Sequence, residues 1–169
     1  GDRFQMLQTI REYALEELDA AAEAELVGGR HAAYFADVAA EVAGGIEGTD
    51  QVGSIERGVL DDADLRAGLD FLLMRTRDGD AESAELGMQM CGDLWLFWHV
   101  RAKHLSAREY ARGCLDSVAN EGPTIGRSKA RRTAGLASWT LGHFEDAIEE
   151  YVESFRIAEE LHADTEATL

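Results

Sequence analysis

The feature that most restricts the fold of this chain is a run of apolar side chains at helical spacing between residues 81 and 102. They recur every three or four residues and so share one face of an α-helix: Ala84, Met88, Cys91, Trp95, Trp98 and Ala102. A second row follows the same stretch: Leu86, Met90, Leu94 and Phe97. A helix that is apolar on so much of its surface must be covered by neighbours on more than one side.

Similar rows recur along the chain, and the composition agrees that they form helices. One of the 169 residues is proline, and alanine, leucine, glutamate and arginine outnumber the β-branched residues. Such usage favours helices over strands. We predict helices at 9–26, 31–43, 52–60, 62–77, 81–102, 106–119, 130–141 and 144–162.

Residues that commonly begin or end helices set these limits. Asp80 is placed to cap the helix that follows it, and a Ser or Thr followed three residues later by Glu predicts a capping box. Paired glycines predict a break. The capping boxes are Thr9 with Glu12 and Ser106 with Glu109, and the breaks are Gly28-Gly29 and Gly44-Gly45.

The short turns between these segments predict how the helices are arranged. Consecutive amphipathic helices joined by short turns form antiparallel hairpins, and one hairpin cannot bury its apolar face alone. A shift of 39 residues (143 minus 104) places His104 on His143 and Leu105 on Phe144. We therefore predict an all-α chain in which successive hairpins stack.

The stretch from residue 135 to residue 158 carries a family resemblance. Gly135, Gly142, Phe144, Ala147 and Tyr151 stand at the spacing of the tetratricopeptide repeat, from its first helix through its second. The stretch departs from the repeat at Arg131, Ala134 and Ser154. The resemblance implies antiparallel helical hairpins stacked as a tetratricopeptide-like α-solenoid.

The order of four further blocks resembles a second family. They are RFQMLQTIREYALEEL from residue 3, Arg30-His31 with Tyr34-Phe35, DADLRAGLDFLL from residue 62, and LWLFW from residue 94. This order is similar to the end of the winged-helix segment and the following helical repeats of bacterial signal-transduction ATPases with numerous domains, which include LuxR-type and actinobacterial transcriptional regulators and some cyclase-linked proteins. Asp64 and Gly68 depart from that pattern. The resemblance implies a winged-helix end and linking helix at 1–27 and a helical-repeat domain at 28–169.

The same resemblance implies a larger cytoplasmic protein with a nucleotide-binding domain before Gly1. No Gly-x-x-x-x-Gly-Lys-Ser/Thr motif occurs in the sequence, so we expect no ATP binding through a P-loop. We predict a non-enzymatic module for protein interaction and signal reception, with a protein partner or other domains of the parent chain as its target. The alternative is a small-molecule effector-sensing domain with its ligand in the concave groove near Trp98, Arg101 and Trp139.

Charge and cysteine usage exclude several other classes. With 33 acidic and 16 basic residues the net charge is −17, which disfavours direct binding to nucleic acid. Cys91 and Cys114 both fall on apolar rows and predict buried free thiols in a reducing compartment. No apolar run is long enough to span a membrane.

A basic cluster at 127–132 predicts a charged start of a helix.

Candidate binding residues gather around the aromatic stretch WLFWHVR and the turn before the last helix. We predict an interaction surface formed by Trp98, Arg101, His104, Trp139 and His143, since Trp and Arg are frequent at binding hot spots. The alternative is that Trp95 and Trp98 fill the core. The five histidines are scattered without metal-binding spacing, so we predict no metal, cofactor or catalytic residue.

The last predicted helix has an acidic face and an unpartnered apolar side. The acidic face is either only hydrated or meets a basic partner. Phe155 and Leu161 would be covered by a further repeat, and their exposure would favour a homodimer.

Overall fold

A computed structural model describes residues 7–21, 23–116 and 122–167 of the chain. These residues form nine α-helices and no strand, which confirms the all-α prediction for this part of the chain. The helices are α1 (Gln8–Ala20), α2 (Ala24–Glu47), α3 (Gln51–Leu60), α4 (Asp62–Arg77), α5 (Ala81–Asp93), α6 (Trp95–Val100), α7 (His104–Leu115), α8 (Ile125–Thr140) and α9 (Phe144–Ala167). None of them is long and apolar enough to cross a lipid bilayer.

Several helix limits agree with the sequence prediction. Helix α4 spans Asp62–Arg77, as predicted, and α3 lies within one residue of its predicted range. The carboxylate of Asp80 accepts hydrogen bonds from the backbone N–H groups of Glu82 and Ser83. Asp80 therefore is the N-cap of α5, as its position predicts.

The predicted break at Gly28-Gly29 is wrong, and so is the one at Gly44-Gly45, because α2 runs through both pairs. A methyl group on Gly28 would lie 2.4 Å from the ring of Phe71 in α4, and one on Gly45 would lie 1.9 Å from Ser54 in α3. These glycines let neighbouring helices approach α2 closely. The interruption falls earlier, between α1 and α2, so the predicted domain boundary after residue 27 lies inside α2.

The capping box predicted at Ser106 with Glu109 is also wrong, and the one predicted at Thr9 with Glu12 involves a side chain outside the described residues. Thr9 is the second residue of α1, which begins at Gln8, and Ser106 lies inside α7. A backbone turn sets the start of α7, since the N–H of Lys103 donates to the carbonyl of Trp98 across Ala102, whose φ is +53°.

The predicted helix over 81–102 is divided at Leu94 into α5 and α6. Backbone hydrogen bonds cross the division, because the N–H of Leu94 donates to Met90 and that of Trp98 donates to Leu94. The predicted end of the next helix at residue 119 lies outside the described residues, and so do the first six residues of the predicted winged-helix end.

The core lies between α2, α4, α5, α6, α7 and α8. Both apolar rows predicted for 81–102 contribute buried side chains to it. The buried members are Ala84, Met88, Met90, Cys91, Leu94, Phe97 and Trp98. Cys91 and Cys114 are buried free thiols, as predicted. Covering two rows of one segment requires helices on several sides, and α5 contacts α2, α4, α7 and α8.

Helices that follow one another pair in antiparallel fashion where the contacts fix their direction. In the α8–α9 pair, the hydroxyls of Ser128 and Ser154 are hydrogen bonded, while Gly135 lies against Tyr151. A later position on α8 thus meets an earlier position on α9. Helix α8 in turn contacts α5 and α7.

Helices α4 and α7, and likewise α7 and α9, make contacts at a nearly constant separation in sequence. Tyr110 of α7 donates a hydrogen bond to Asp70 of α4, 40 residues away. Arg108 and Arg112 of α7 each reach a carboxylate of α9 that is 38 residues away, on Asp146 and Glu150. A methyl group on Gly113 of α7 would also lie 2.8 Å from Leu73 of α4, again 40 residues away. Helices α4, α7 and α9 are therefore parallel to one another.

The α5–α8 contacts show the same separation. Thr124 donates to Glu85 over 39 residues, and Thr133 donates to the carbonyl of Cys91 over 42 residues. Helices α5 and α8 are therefore also parallel to each other, and the separation of these contacts is close to the 39 residues predicted from the sequence.

Candidate functional site on the last helix

Helix α9 has one apolar face against α8 and a second apolar face in solvent. The solvent face, called here the α9 stripe, consists of Phe144, Ile148, Tyr151, Val152 and Phe155. Four of them are between 58% and 65% exposed, and Tyr151 is 36% exposed. Their spacing places them along one side of the helix. A contiguous exposed apolar surface of this kind is typical of interaction sites.

The opposite side of α9 is fixed by a buried charged network. The Glu150 carboxylate is 3% exposed and binds Arg112 at 3.2 Å and Arg131 at 2.8 Å. One Arg108 nitrogen lies 2.5 Å from Asp146, and another donates to the hydroxyl of Ser138. Arginine guanidinium groups suit such multiple contacts because they present several donors in one plane. The network holds α9 against both α7 and α8.

Close packing against α8 completes the placement of the stripe. A methyl group on Gly135 would lie 3.2 Å from the ring of Tyr151, which is tighter than ordinary contact. Glycine at 135 therefore lets that ring rest on α8. Ala147 and Ile157 are buried on the same side of α9.

One edge of the stripe is acidic. Glu145 and Glu149 are exposed and have no ion-pair partner among the described residues. Farther along α9, Arg156 lies 2.7 Å from Glu153, and its hydrogen bond holds the pKa of Glu153 below the ordinary value. Arg156 also pairs with Glu160. The edge beside Ile148 and Val152 thus carries uncompensated negative charge.

The residues predicted as an interaction surface do not form one exposed cluster. Trp98 is 3% exposed and stacks on Tyr110 with ring centroids 6.3 Å apart. This burial agrees with the alternative that Trp98 fills the core, and its ring is not available at the surface. Trp139 is 57% exposed, and Arg101 and His143 are also exposed.

His104, the remaining predicted residue, lies beside a second histidine. The rings of His99 and His104 are 5.4 Å apart. Burial lowers the pKa of His104, and the proximity of His99 lowers it further. Within the described ranges, no three His, Cys, Asp or Glu side chains are grouped so that they could hold a metal ion.

The basic cluster at the start of α8 is engaged in contacts within the chain. Lys129 lies 2.9 Å from Asp93, and Arg131 binds the buried Glu150. The guanidinium of Arg132 lies over the ring of Trp95, 5.4 Å from its centroid. These three side chains therefore contribute to packing between helices.

A cavity of about 290 Å³ lies between the start of α8 and the end of α9. It is lined by Ile125, Ser128, Lys129, Ala158, Leu161 and His162. Trp98, Arg101 and Trp139 do not line it, so this cavity is separate from the groove predicted for an effector.

The sequence prediction found only part of the α9 stripe. Phe155 is 65% exposed, whereas Leu161 is half-buried at the cavity. The sequence pattern places Phe144 and Tyr151 at repeat positions and gives no such signal for Ile148 and Val152. The available signal was that α9 carries two apolar rows, one with Ala147 and Ile157 and one with the stripe.

No protein-family model, curated protein or solved structure matches this chain.

Proposed function

We propose that this chain is a non-enzymatic helical-repeat module that binds a protein partner through the α9 stripe. The observation that carries the proposal is a contiguous row of large apolar side chains, four of them at least 58% exposed, on a helix fixed by buried ion pairs. Leaving such a row in water is unfavourable, so a rigid exposed row is best explained by a partner that covers it.

The proposed architecture is a tetratricopeptide-like α-solenoid. The antiparallel α8–α9 pair and the contacts over 38 to 42 residues between parallel helices support this arrangement. In a stack of hairpins each layer contacts its neighbours, so the exposed side of α9 is suited to contact another helical element.

The partner class follows from charge and shape. A net charge of −17 opposes binding to phosphate backbones, and the stripe is a ridge of side chains that suits a complementary protein surface. We propose that the module receives signals within a multidomain bacterial regulator of the kind its sequence resembles. Occupancy of the stripe would shift the parent between resting and active arrangements by differential affinity.

A site-specific photo-crosslinker tests this function directly. A photoreactive amino acid replaces Val152 of the stripe in one variant, and Val52 of α3 in a matched control. Both valines are exposed, at 63% and 70%. We expect irradiation in an extract of the source cells to attach one protein at position 152 and none at position 52. Equal labelling at both positions, or none at either, would contradict the proposal.

The cavity between α8 and α9 favours a second candidate, a small-molecule effector site. Its volume of about 290 Å³ is near the lower end of ligand pockets, and its wall is largely apolar. A metabolite screen by thermal shift distinguishes the two candidates, because a ligand raises the melting temperature by mass action. A rise abolished in Ala158→Trp, which fills the cavity, would favour the effector site. A screen with no such rise would favour protein binding.

A further inference from the structure

The α9 stripe lies on the side of α9 that is equivalent to the side of α7 in contact with α8 and α9. Both helices begin two residues after a turn residue with positive φ, Ala102 at +53° and Gly142 at +85°. In both turns the following residue donates a backbone hydrogen bond back across the turn, from Lys103 to Trp98 and from His143 to Ser138. Residues 40 apart are therefore equivalent on α7 and α9.

This equivalence shows which way the stripe faces. Ile148, Val152 and Phe155 correspond to Arg108, Arg112 and Leu115. In α7 the two arginines contact α8 and α9, the helices that come next in the stack. Leu115 is only 5% exposed. The stripe is thus the side of α9 on which a further helix would lie.

The chemistry of this side differs between the two helices. Helix α7 offers arginines to the carboxylates of Asp146 and Glu150. At the equivalent places α9 offers Ile148 and Val152. Burying a carboxylate against Ile148 and Val152 would be costly, because it would have no partner there. A helix that binds the stripe must therefore present apolar side chains to these two residues.

The exposed acids beside the stripe define the charge of the occupant. Glu145 and Glu149 border Ile148 and Val152 and have no ion-pair partner within the described part of the chain. Basic side chains on the occupant would complement them. A second copy of this chain is disfavoured, because each copy has a net charge of −17 and would bring the same acidic edge.

We propose that the α9 stripe binds an amphipathic helix of a partner protein, with an apolar row facing the stripe and Lys or Arg along the edge facing Glu145 and Glu149. This inference rests on the proposed function and specifies the partner. It continues the packing of the chain itself, in which the equivalent side of α7 lies against helices.

Synthetic peptides test the two requirements separately. Three fluorescent peptides of about five helical turns each are compared with the full chain by anisotropy. The first has a leucine row and an arginine edge, the second has the same row with a glutamate edge, and the third has the arginine edge with serines in the row. We expect the first to bind at least about tenfold more tightly than either of the others, and this preference to weaken with added salt.

Substitutions in the chain locate the binding site. Val152→Asn should weaken binding of the first peptide about tenfold, and the matched control Val52→Asn should leave it unchanged. Glu149→Lys should shift the preference toward the peptide with the glutamate edge. All three positions are exposed, so folding should be retained, as circular dichroism would verify.

Three outcomes would overturn the inference. They are equal binding of the arginine-edged and glutamate-edged peptides, binding insensitive to Val152→Asn, and a dimer in light scattering that Val152→Asn dissociates. The crosslinking experiment shows whether only the inference about the partner helix fails or whether protein binding through the stripe fails as well. A protein attached at position 152 without the charge preference leaves protein binding intact, whereas no attachment and no peptide binding overturns both.

Discussion

At the scale of single residues, the turns before α7 and α9 have the same hydrogen bonding but different side chains. Ala102 has a φ of +53°, and Gly142 has a φ of +85°. Left-handed backbone is strained for a residue with a Cβ atom and is not strained for glycine. The turn before α7 is therefore less stable than the equivalent turn before α9.

Exchanging the two residue types should change stability in opposite directions. We expect Ala102→Gly to raise the free energy of unfolding, and Gly142→Ala to lower it by about 1 kcal/mol, because each change alters the strain of a left-handed residue. Urea denaturation measures both effects. Changes of the same sign in the two variants would contradict this account.

His104 provides a second prediction at this scale. Burial and the nearby His99 disfavour its charged form, so its pKa in an NMR titration should lie below 6.5. The unfolded state then binds the proton more readily as the pH falls below 6.5, and His104 lowers the free energy of unfolding on acidification. In His99→Asn the pKa of His104 should rise, since the charge repulsion is removed while burial remains. A pKa at or above 6.5 in the unmodified chain would refute the assignment.

At the scale of helices, adjacent acids on α9 have opposite roles. Glu150 is buried between Arg112 and Arg131, whereas Glu149 is exposed and without an ion-pair partner among the residues described. Removing one charge from a buried network leaves its partners uncompensated. We expect Glu150→Gln to lower the free energy of unfolding by about 3 kcal/mol and the control Glu149→Gln to change it by less than about 0.5 kcal/mol. Chemical denaturation of both variants measures the difference, and similar losses would contradict a supporting role for the network.

Glycines inside α2 also differ in role. A methyl group on Gly28 would lie 2.4 Å from Phe71, while one on Gly44 would have no neighbour within 4 Å. Alanine is favoured over glycine in a helix by up to about 1 kcal/mol. Gly44→Ala should therefore raise the melting temperature, and Gly28→Ala should lower it because α4 must move. Stabilisation by both substitutions would show that α2 and α4 are less closely packed than described.

At the scale of the whole molecule, the stripe is apolar surface that folding leaves exposed. Ile148 and Phe155 are both 65% exposed, whereas Val42 in the core is 1% exposed. Replacing Ile148 by Asn and Phe155 by Ser should reduce binding of a hydrophobic fluorescent dye and leave the melting temperature nearly unchanged. Val42→Asn should lower the melting temperature strongly, because it buries a polar group without a partner. A large loss of stability in the stripe variants would mean that the stripe belongs to the core.

The sequence by itself determined the features that depend on residues a few positions apart. The apolar rows at three- and four-residue spacing predicted the all-α class and the burial of seven of their ten side chains, all between residues 84 and 98, whereas Leu86 and Trp95 are half-buried and Ala102 is exposed. Asp80 predicted the start of α5, and the 39-residue shift lies within one residue of the separation between Ala102 and Gly142. These features follow from helix geometry and local hydrogen bonding, which a short window of sequence contains.

Only the tertiary structure decided what depends on residues far apart in the chain. Gly28 and Gly29 look like a helix break until Phe71 of α4 is placed against α2. Glu150 looks like any other acid on α9 until Arg112 and Arg131 enclose it. The same holds for the two apolar rows of α9, because only the position of α8 shows which row is covered and which is left as the stripe. Burial is a property of the neighbours that a side chain meets, and those neighbours are brought together by the packing of distant helices.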